Sequence, residues 1–392
     1  MSRLRGRQFL AIPGPTNIPE RVLAAMHRPA VDFKSRAFRP VEAEVFAGLK
    51  QVFQTRETVY AYPSAGRGAW EAAMVNTLSP GDKVLIGETG AFSVFWCEIA
   101  RELGLEVEEL AGDWRHGVDP AAVEARLAED RTREIKAVCL VHNETSTGVT
   151  SRAAEIGRAI RDIGHPALFM VDTISSLACM DFRMDEWGVD LAVSGSQKGL
   201  MLPSGMSFLG VSEKAEKARQ SARMPRSYWE LGGLREADGS LRFPSTSPVH
   251  LIYGLAEALR MLFEEGMEQV FRRHLRLAEA ARAAVRAWGR EGGPEVFSLD
   301  AREHSNSITT VLLPEGADAE AVRRQAEDRF QVALGAGLLR LHGRAFRFAH
   351  MGDLNEPMLL GALGGVELAM RAAAVPFAGG GVQAAMDSLA GA

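Results

Sequence analysis

Cysteine is scarce in this sequence, with three in 392 residues, at positions 97, 139 and 179. A sparse, odd set does not build a disulfide framework, so a reducing, cytoplasmic setting is expected. No uncharged apolar run approaches the ~18 residues of a membrane span. The stretch MSRLRGRQFLAIPGPTNIPE starts basic but reaches Pro13-Gly14-Pro15 after few apolar residues, too soon for a signal-peptide core. With SLAGA closing the sequence, no peroxisomal or retention address is expected. Basic residues are not in excess: 45 Lys and Arg stand against 50 Asp and Glu, a net charge of −5 spread along the chain. Neither nucleic acid nor a membrane surface is therefore an expected partner. Repeats of solenoid period and Pro/Ser-rich linkers are missing. So are HExxH, GxxxxGK[ST], and a GxSxG following a candidate strand, which removes metal hydrolase, nucleotide triphosphatase and serine hydrolase readings.

What is present is an alternation. Short apolar or β-branched runs, each ending in polar or glycine clusters, precede helix-like stretches. The runs are Thr58–Tyr62, Lys83–Ile86, Ala137–His142, Ala167–Val171, Leu191–Val193 and Ser207–Val211. Helices are predicted over 68–78, 92–103, 120–129 and 151–163. Continuous apolar runs interleaved with helices predict an α/β fold with a mostly parallel sheet covered on both faces. After about residue 250 the pattern changes to one long helical stretch, Pro248 to Trp288, and then mixed elements including Ser307–Leu313 and Ala345–Phe348. The expected organisation is an N-terminal segment (1–19) packing on the small domain or on a partner, a large α/β domain (20–262) and a smaller α+β domain (263–392).

Four features fall where an open α/β sheet gathers chemistry, at strand ends. The turn Ser64-Ala65-Gly66-Arg67-Gly68 leads into a helix and suits an anion on backbone N–H groups. It is no dinucleotide fingerprint, because Glu71 fills the third glycine position. Asp172 closes the apolar run ALFMV, either as a helix cap or as a carboxylate facing a cation in a cleft. Lys198, in SGSQKGLMLP, follows a strand and sits among small and apolar residues, where a lysine becomes a competent nucleophile. Arg347, in AFRFAH, lies opposite Phe346 and Phe348, as a solvated edge residue or as a fork for a substrate carboxylate. An anion cradle, a carboxylate for a pyridinium nitrogen, an imine-forming lysine and a carboxylate-binding arginine together are what pyridoxal phosphate chemistry on amino acids requires.

At these residues the sequence resembles the class V, fold type I pyridoxal-phosphate aminotransferases, and among them the serine–glyoxylate and alanine–glyoxylate group. The matching stretches are IPGPTNIPE, PSAGRGAWEAA, SPGDKVLIGETGAFS, HNETSTGV, ALFMVDTISS, MDEWGVDLAVSGSQKGLMLPSG and FRFAHMGDLNE. They run from residue 11 to about 370, and Asp172 precedes Lys198 by 26 positions. The resemblance implies a seven-stranded sheet in the large domain and pyridoxal 5′-phosphate as cofactor. It implies Lys198 as the cofactor-binding lysine and proton carrier, with Asp172 as partner of the ring nitrogen. Ala65, Gly66 and Arg67 would form the phosphate loop, joined by Gln197. Phe92 would stack on the ring. Thr145 would contact the ring oxygen or the substrate carboxylate, and Arg347 would anchor that carboxylate. Thr246 would reach the phosphate of a neighbouring subunit, which implies a homodimer with shared sites. The implied reaction moves an amino group from a small L-amino acid, serine favoured, to glyoxylate. Aspartate or alanine as donor, or pyruvate as acceptor, stands as the alternative.

The sequence departs from that pattern at Arg67, where relatives usually carry Thr or His. It departs again at Ser245, where Tyr is common, and at Lys34-Ser35, where Arg-Ser is more usual. Arg67 either adds a bond to phosphate or points into the site and favours an acidic donor. The related cysteine desulfurases need a nucleophilic cysteine in the last third of the chain, and Cys179 is the last one here.

Overall fold

A computed structural model of the chain describes residues 6–391. Residues 1–5 of the expected N-terminal segment lie outside the described residues. The main sheet has seven strands in the order Thr58–Tyr62, Ser207–Val211, Leu191–Gly195, Leu168–Asp172, Ile135–Val141, Lys83–Gly87, Glu106–Leu110. Ser207–Val211 is antiparallel to both neighbours, and the other pairings are parallel. All six apolar runs read from the sequence are strands of this sheet. The seventh strand, Glu106–Leu110, carries no apolar run. It is the outermost strand, paired only with Lys83–Gly87, and its EVEEL residues are half-buried or exposed. Such an edge strand has no need of an apolar sequence.

The period of two in a strand sends alternate side chains to opposite faces. Phe169 and Val171 enter the core under the helices Arg39–Phe53 and Val249–Glu265. Leu168 and Met170 enter the core under Gly66–Thr77 and Ala91–Glu102. Asp172 continues that second set, so its carboxylate emerges beneath Gly66–Thr77.

The single helix expected over 248–288 is two helices, Val249–Glu265 and Met267–Trp288, broken at Gly266 with φ +87°. A positive φ cannot continue an α-helix. Leu262 belongs to the large core, whereas Leu277 to Trp288 join a separate core with Phe346, Phe348 and the helix Glu356–Ala372. That second core underlies a five-stranded sheet ordered Phe9–Ala11, Val332–Ala336, Ala345–Ala349, Ile308–Leu312, Glu295–Val296. The N-terminal strand Phe9–Ala11 pairs in parallel with Val332–Ala336, tying the start of the chain to the C-terminal sheet.

Candidate active site

Asp172 ends a central strand and is buried. Its Oδ1 accepts from the Ile174 N–H at 2.6 Å and its Oδ2 from the Trp70 indole N–H at 3.1 Å. It therefore shapes a turn, and its carboxylate also faces inward. Burial pushes its pKa up to about 7, opposed by the Ile174 N–H, raised further by the Glu144 charge, and opposed again by Trp70 and the Lys198 ammonium.

Lys198 lies in the turn after the neighbouring strand Leu191–Gly195. Its side chain is partly buried and Nζ donates to the Pro13 carbonyl. Its pKa is pulled down to about 8, by burial first and then by the Arg347 charge, while Asp172 and Cys179 act in the opposite sense. The chain around Pro13 forms a strap over this lysine. The Thr16 N–H donates to the Gln197 carbonyl and its hydroxyl to the Lys198 carbonyl, both at 3.2 Å. Gly14 has φ +119°, and a Cβ there would stand 2.7 Å from Lys198 Nζ. Only glycine combines that backbone with so close an approach to the amine.

Gly66–Thr77 begins at Ala65, whose side chain offers no cap, and has no acidic residue in its first turn. Its leading N–H groups and dipole are open to an anion. A Cβ on Gly66 would meet Ile174 Cδ1 at 2.5 Å, so the start of this helix rests directly on the Asp172 turn. Gln197 completes the neighbourhood with a buried Oε1 that has no hydrogen-bond partner. Arg67 is exposed, and its guanidinium lies 4.4 Å over the Phe95 ring. It makes no ion pair with an acid among the described residues. Phe92 is half-buried at the start of Ala91–Glu102, edge-on to Phe95 at 5.8 Å. Thr246 is exposed in the segment before Val249–Glu265 and bonds to none of the other candidates.

Arg347 is not an edge residue. Its strand lies in the middle of the C-terminal sheet, between Thr310 and Gly335 in register. Phe346 and Phe348 pack into the core behind, and Arg347 leaves by the other face towards the large domain. Its Nε donates to Ala336 O at 2.7 Å and one terminal nitrogen to Thr145 O at 3.2 Å. The other terminal nitrogen has no partner among the described residues. Burial pulls its pKa down to about 10, with the Glu144 charge working against that. Thr145 is buried and its hydroxyl is likewise unpartnered.

Three contributors escaped the sequence reading: Trp70, the Pro13–Thr16 strap, and Glu144. Glu144 is fully buried. Its Oε2 accepts from the Phe92 and Ser93 N–H groups and its Oε1 from Ser146, which fixes the entry of the Phe92 helix. Burial pushes its carboxyl pKa up. Nothing in the local sequence HNETSTG says which glutamate oxygen meets which helix, so only the spacing of Glu144 from Thr145 could have flagged it.

The profile of the class-V aminotransferase family matches residues 8–339. The chain belongs to the class-V aminotransferases. Among its relatives, a serine–glyoxylate aminotransferase of Methylorubrum extorquens AM1 is 44% identical over 94% of this chain and 92% of its own length. An L-aspartate–glyoxylate aminotransferase of Paracoccus denitrificans is 41% identical over 96% of this chain and 94% of its own. The crystal structure of a ureidoglycine–glyoxylate aminotransferase from Bacillus subtilis superposes with a TM-score of 0.89 at 29% identity, covering 99% of both chains.

Class-V aminotransferases depend on pyridoxal phosphate, and the residues here suit such a group. An uncapped helix N-terminus, an orphaned buried amide oxygen at Gln197, a buried carboxylate and a half-buried amine border one region. The cysteines offer no competing chemistry in this class-V aminotransferase. All three are buried, and burial pushes the Cys97 and Cys179 thiols up to about 12. No helix among the described residues is long and apolar enough to cross a membrane.

Proposed function

We propose that this class-V aminotransferase uses pyridoxal 5′-phosphate to move an amino group from a small L-amino acid, serine favoured, to glyoxylate, giving glycine and a 2-oxo acid. The observation that carries the reading is the convergence of Lys198 with Asp172 and Arg347, close enough that both charges act on the lysine amine. Lys198 would hold the cofactor covalently. Ala65, Gly66, Arg67 and Gln197 would hold its phosphate, Phe92 and Thr145 would border its ring, and Asp172 would face its nitrogen. The bound cofactor supplies an aldehyde that accepts the amino group and a ring that takes up electron density from the Cα–H bond. Arg347 binds the α-carboxylate of the donor and so orients its Cα–H bond. Displaced from the cofactor by the donor's amine, Lys198 Nζ would be free to take the Cα proton and return it one position along. The Asp172 carboxylate would hold a proton on the ring nitrogen throughout. The strap at Pro13–Thr16 keeps water from Lys198.

Serine as donor rests on the relatives. A second donor, aspartate, is favoured by the exposed, unpaired guanidinium of Arg67 and by the Paracoccus relative. A panel of serine, alanine and aspartate against glyoxylate and pyruvate tests both. Serine with glyoxylate is expected to give the highest kcat/KM. No glycine from any donor would defeat the proposal. Replacing Arg347 by Ala is expected to raise KM for the donor by about 10–100-fold, the worth of a charge-assisted bond. An unchanged KM would remove Arg347 from the substrate site.

We infer a homodimer with shared sites, in which Thr246 serves the neighbouring subunit. The exposure of Thr246 and of most residues from 27 to 40 supports this. A reducing, cytoplasmic setting is proposed from the three unpaired cysteines.

A further inference from the structure

We propose that Trp70 is the positioning residue of Asp172, and that its indole N–H sets the carboxylate that faces the cofactor ring. The inference rests on the pyridoxal-phosphate reading above and adds a residue to it.

Trp70 is fully buried and lies four residues after Gly66, one turn below the start of the same helix. That spacing puts the indole under the anion cradle, on the sheet face from which Asp172 emerges. The Trp70 N–H meets Oδ2 at 3.1 Å, while the Ile174 N–H holds Oδ1 at 2.6 Å. Each carboxylate oxygen therefore has one fixed donor, and the carboxyl plane cannot rotate without losing both. One helix thus governs both ends of the ligand. Its first turn would face the phosphate, and its second turn holds the carboxylate that would face the ring nitrogen. The indole itself is held by a parallel stack on Trp96, with ring centres 5.3 Å apart and planes 9° from parallel. Trp96 Nε1 is buried and has no hydrogen-bond partner. The two indoles share the packing, and only Trp70 reaches Asp172. The Trp70 bond also opposes the burial that drives Asp172 towards its neutral form.

The test uses pyridoxal 5′-phosphate as probe and its dissociation constant across pH as readout. Trp70→Phe keeps an aromatic ring in the stack and removes the donor. It is expected to weaken cofactor binding about tenfold or more. Loss of binding on the acid side should begin about one pH unit higher, because Asp172 with one donor fewer takes a proton more readily. In an Asp172→Asn background the same change is expected to have no such effect. Trp96→Phe, which disturbs the same packing, is expected to leave the acid limb in place. An equal shift from Trp96→Phe, or an undiminished effect in the Asp172→Asn background, would make Trp70 merely structural. A measurement needing no Trp70 variant covers a failure to fold. The Trp70 indole N–H resonance of the unsubstituted protein should move with pH and lose that titration in Asp172→Asn; a resonance indifferent to the substitution overturns the proposal. If the unsubstituted chain never takes the cofactor onto Lys198, the underlying reading fails, and this inference falls with it. Normal binding with no Trp70 effect overturns the inference alone.

Discussion

Lys198→Ala is expected to lower kcat by at least about 10⁴-fold, because under the proposed function it removes the covalent attachment point and the proton carrier together. The fold should survive. The backbone of Lys198 remains bonded to the Thr16 hydroxyl and, through its carbonyl, to the Met201 N–H. The lost side-chain contact is one bond to the Pro13 carbonyl at a half-buried position. Cofactor binding should weaken without vanishing, since the phosphate cradle and Asp172 stay in place. Borohydride treatment followed by mass spectrometry should label position 198 in the unsubstituted chain and nowhere in the variant. Residual turnover near the original rate would sink the assignment. The pKa of about 8 gives a further check on the unsubstituted apoprotein. Only the neutral amine attacks an aldehyde, so capture of the cofactor should accelerate roughly tenfold per pH unit up to about 8 and then level off. A capture rate that keeps rising about tenfold per unit from about pH 8 to about pH 10 would contradict the lowered pKa.

Asp172→Asn is expected to reduce kcat by about 10²–10³-fold, the usual loss when a preorganised charge is removed from a reacting centre. Its effect on stability should have the opposite trend with pH. In the cofactor-free protein the Asp172 pKa is raised from 3.8 to about 7, first by burial. The folded state therefore binds a proton that the unfolded state has released between those values. Stability is fully present below the unfolded value and declines as pH rises through 7, by about 1.4 kcal/mol per pH unit inside the window. Asparagine does not titrate there. The stability of the cofactor-free variant relative to the parent should consequently rise between pH 5 and pH 7, measured by denaturant midpoints at each pH. A difference independent of pH would show that Asp172 stays ionised throughout. A buried charge that weakens the empty fold and is needed for turnover is the expected mark of a binding site.

Much of this arrangement was legible along the chain. The runs TVYAY, KVLIG and LFMVD are buried along nearly their whole length, and strands covered on both faces are apolar at most positions, which a sequence displays openly. The edge strand EVEEL escaped because one of its sides meets solvent. The two helices at 249–265 and 267–288 read as one because both carry the same apolar period, and a single glycine between them is a weak signal until its φ is known. The candidate groups Lys198, Asp172 and Arg347 stood out for the opposite reason. A carboxylate at the end of an apolar strand, a lysine in the turn after one and a guanidinium in the middle of one conflict with their surroundings, and conflict of that kind marks a candidate site.

The sequence by itself determined the fold class, the family and the identity of the charged groups, because strand periodicity and strand-end composition are local properties. Only the tertiary structure decided how those groups are held. Trp70 reaches Asp172 across 102 positions, Pro13 meets Lys198 across 185, and Arg347 meets Thr145 across 202. A hydrogen bond depends on distance and direction in space, and no local pattern encodes which distant donor arrives at which oxygen.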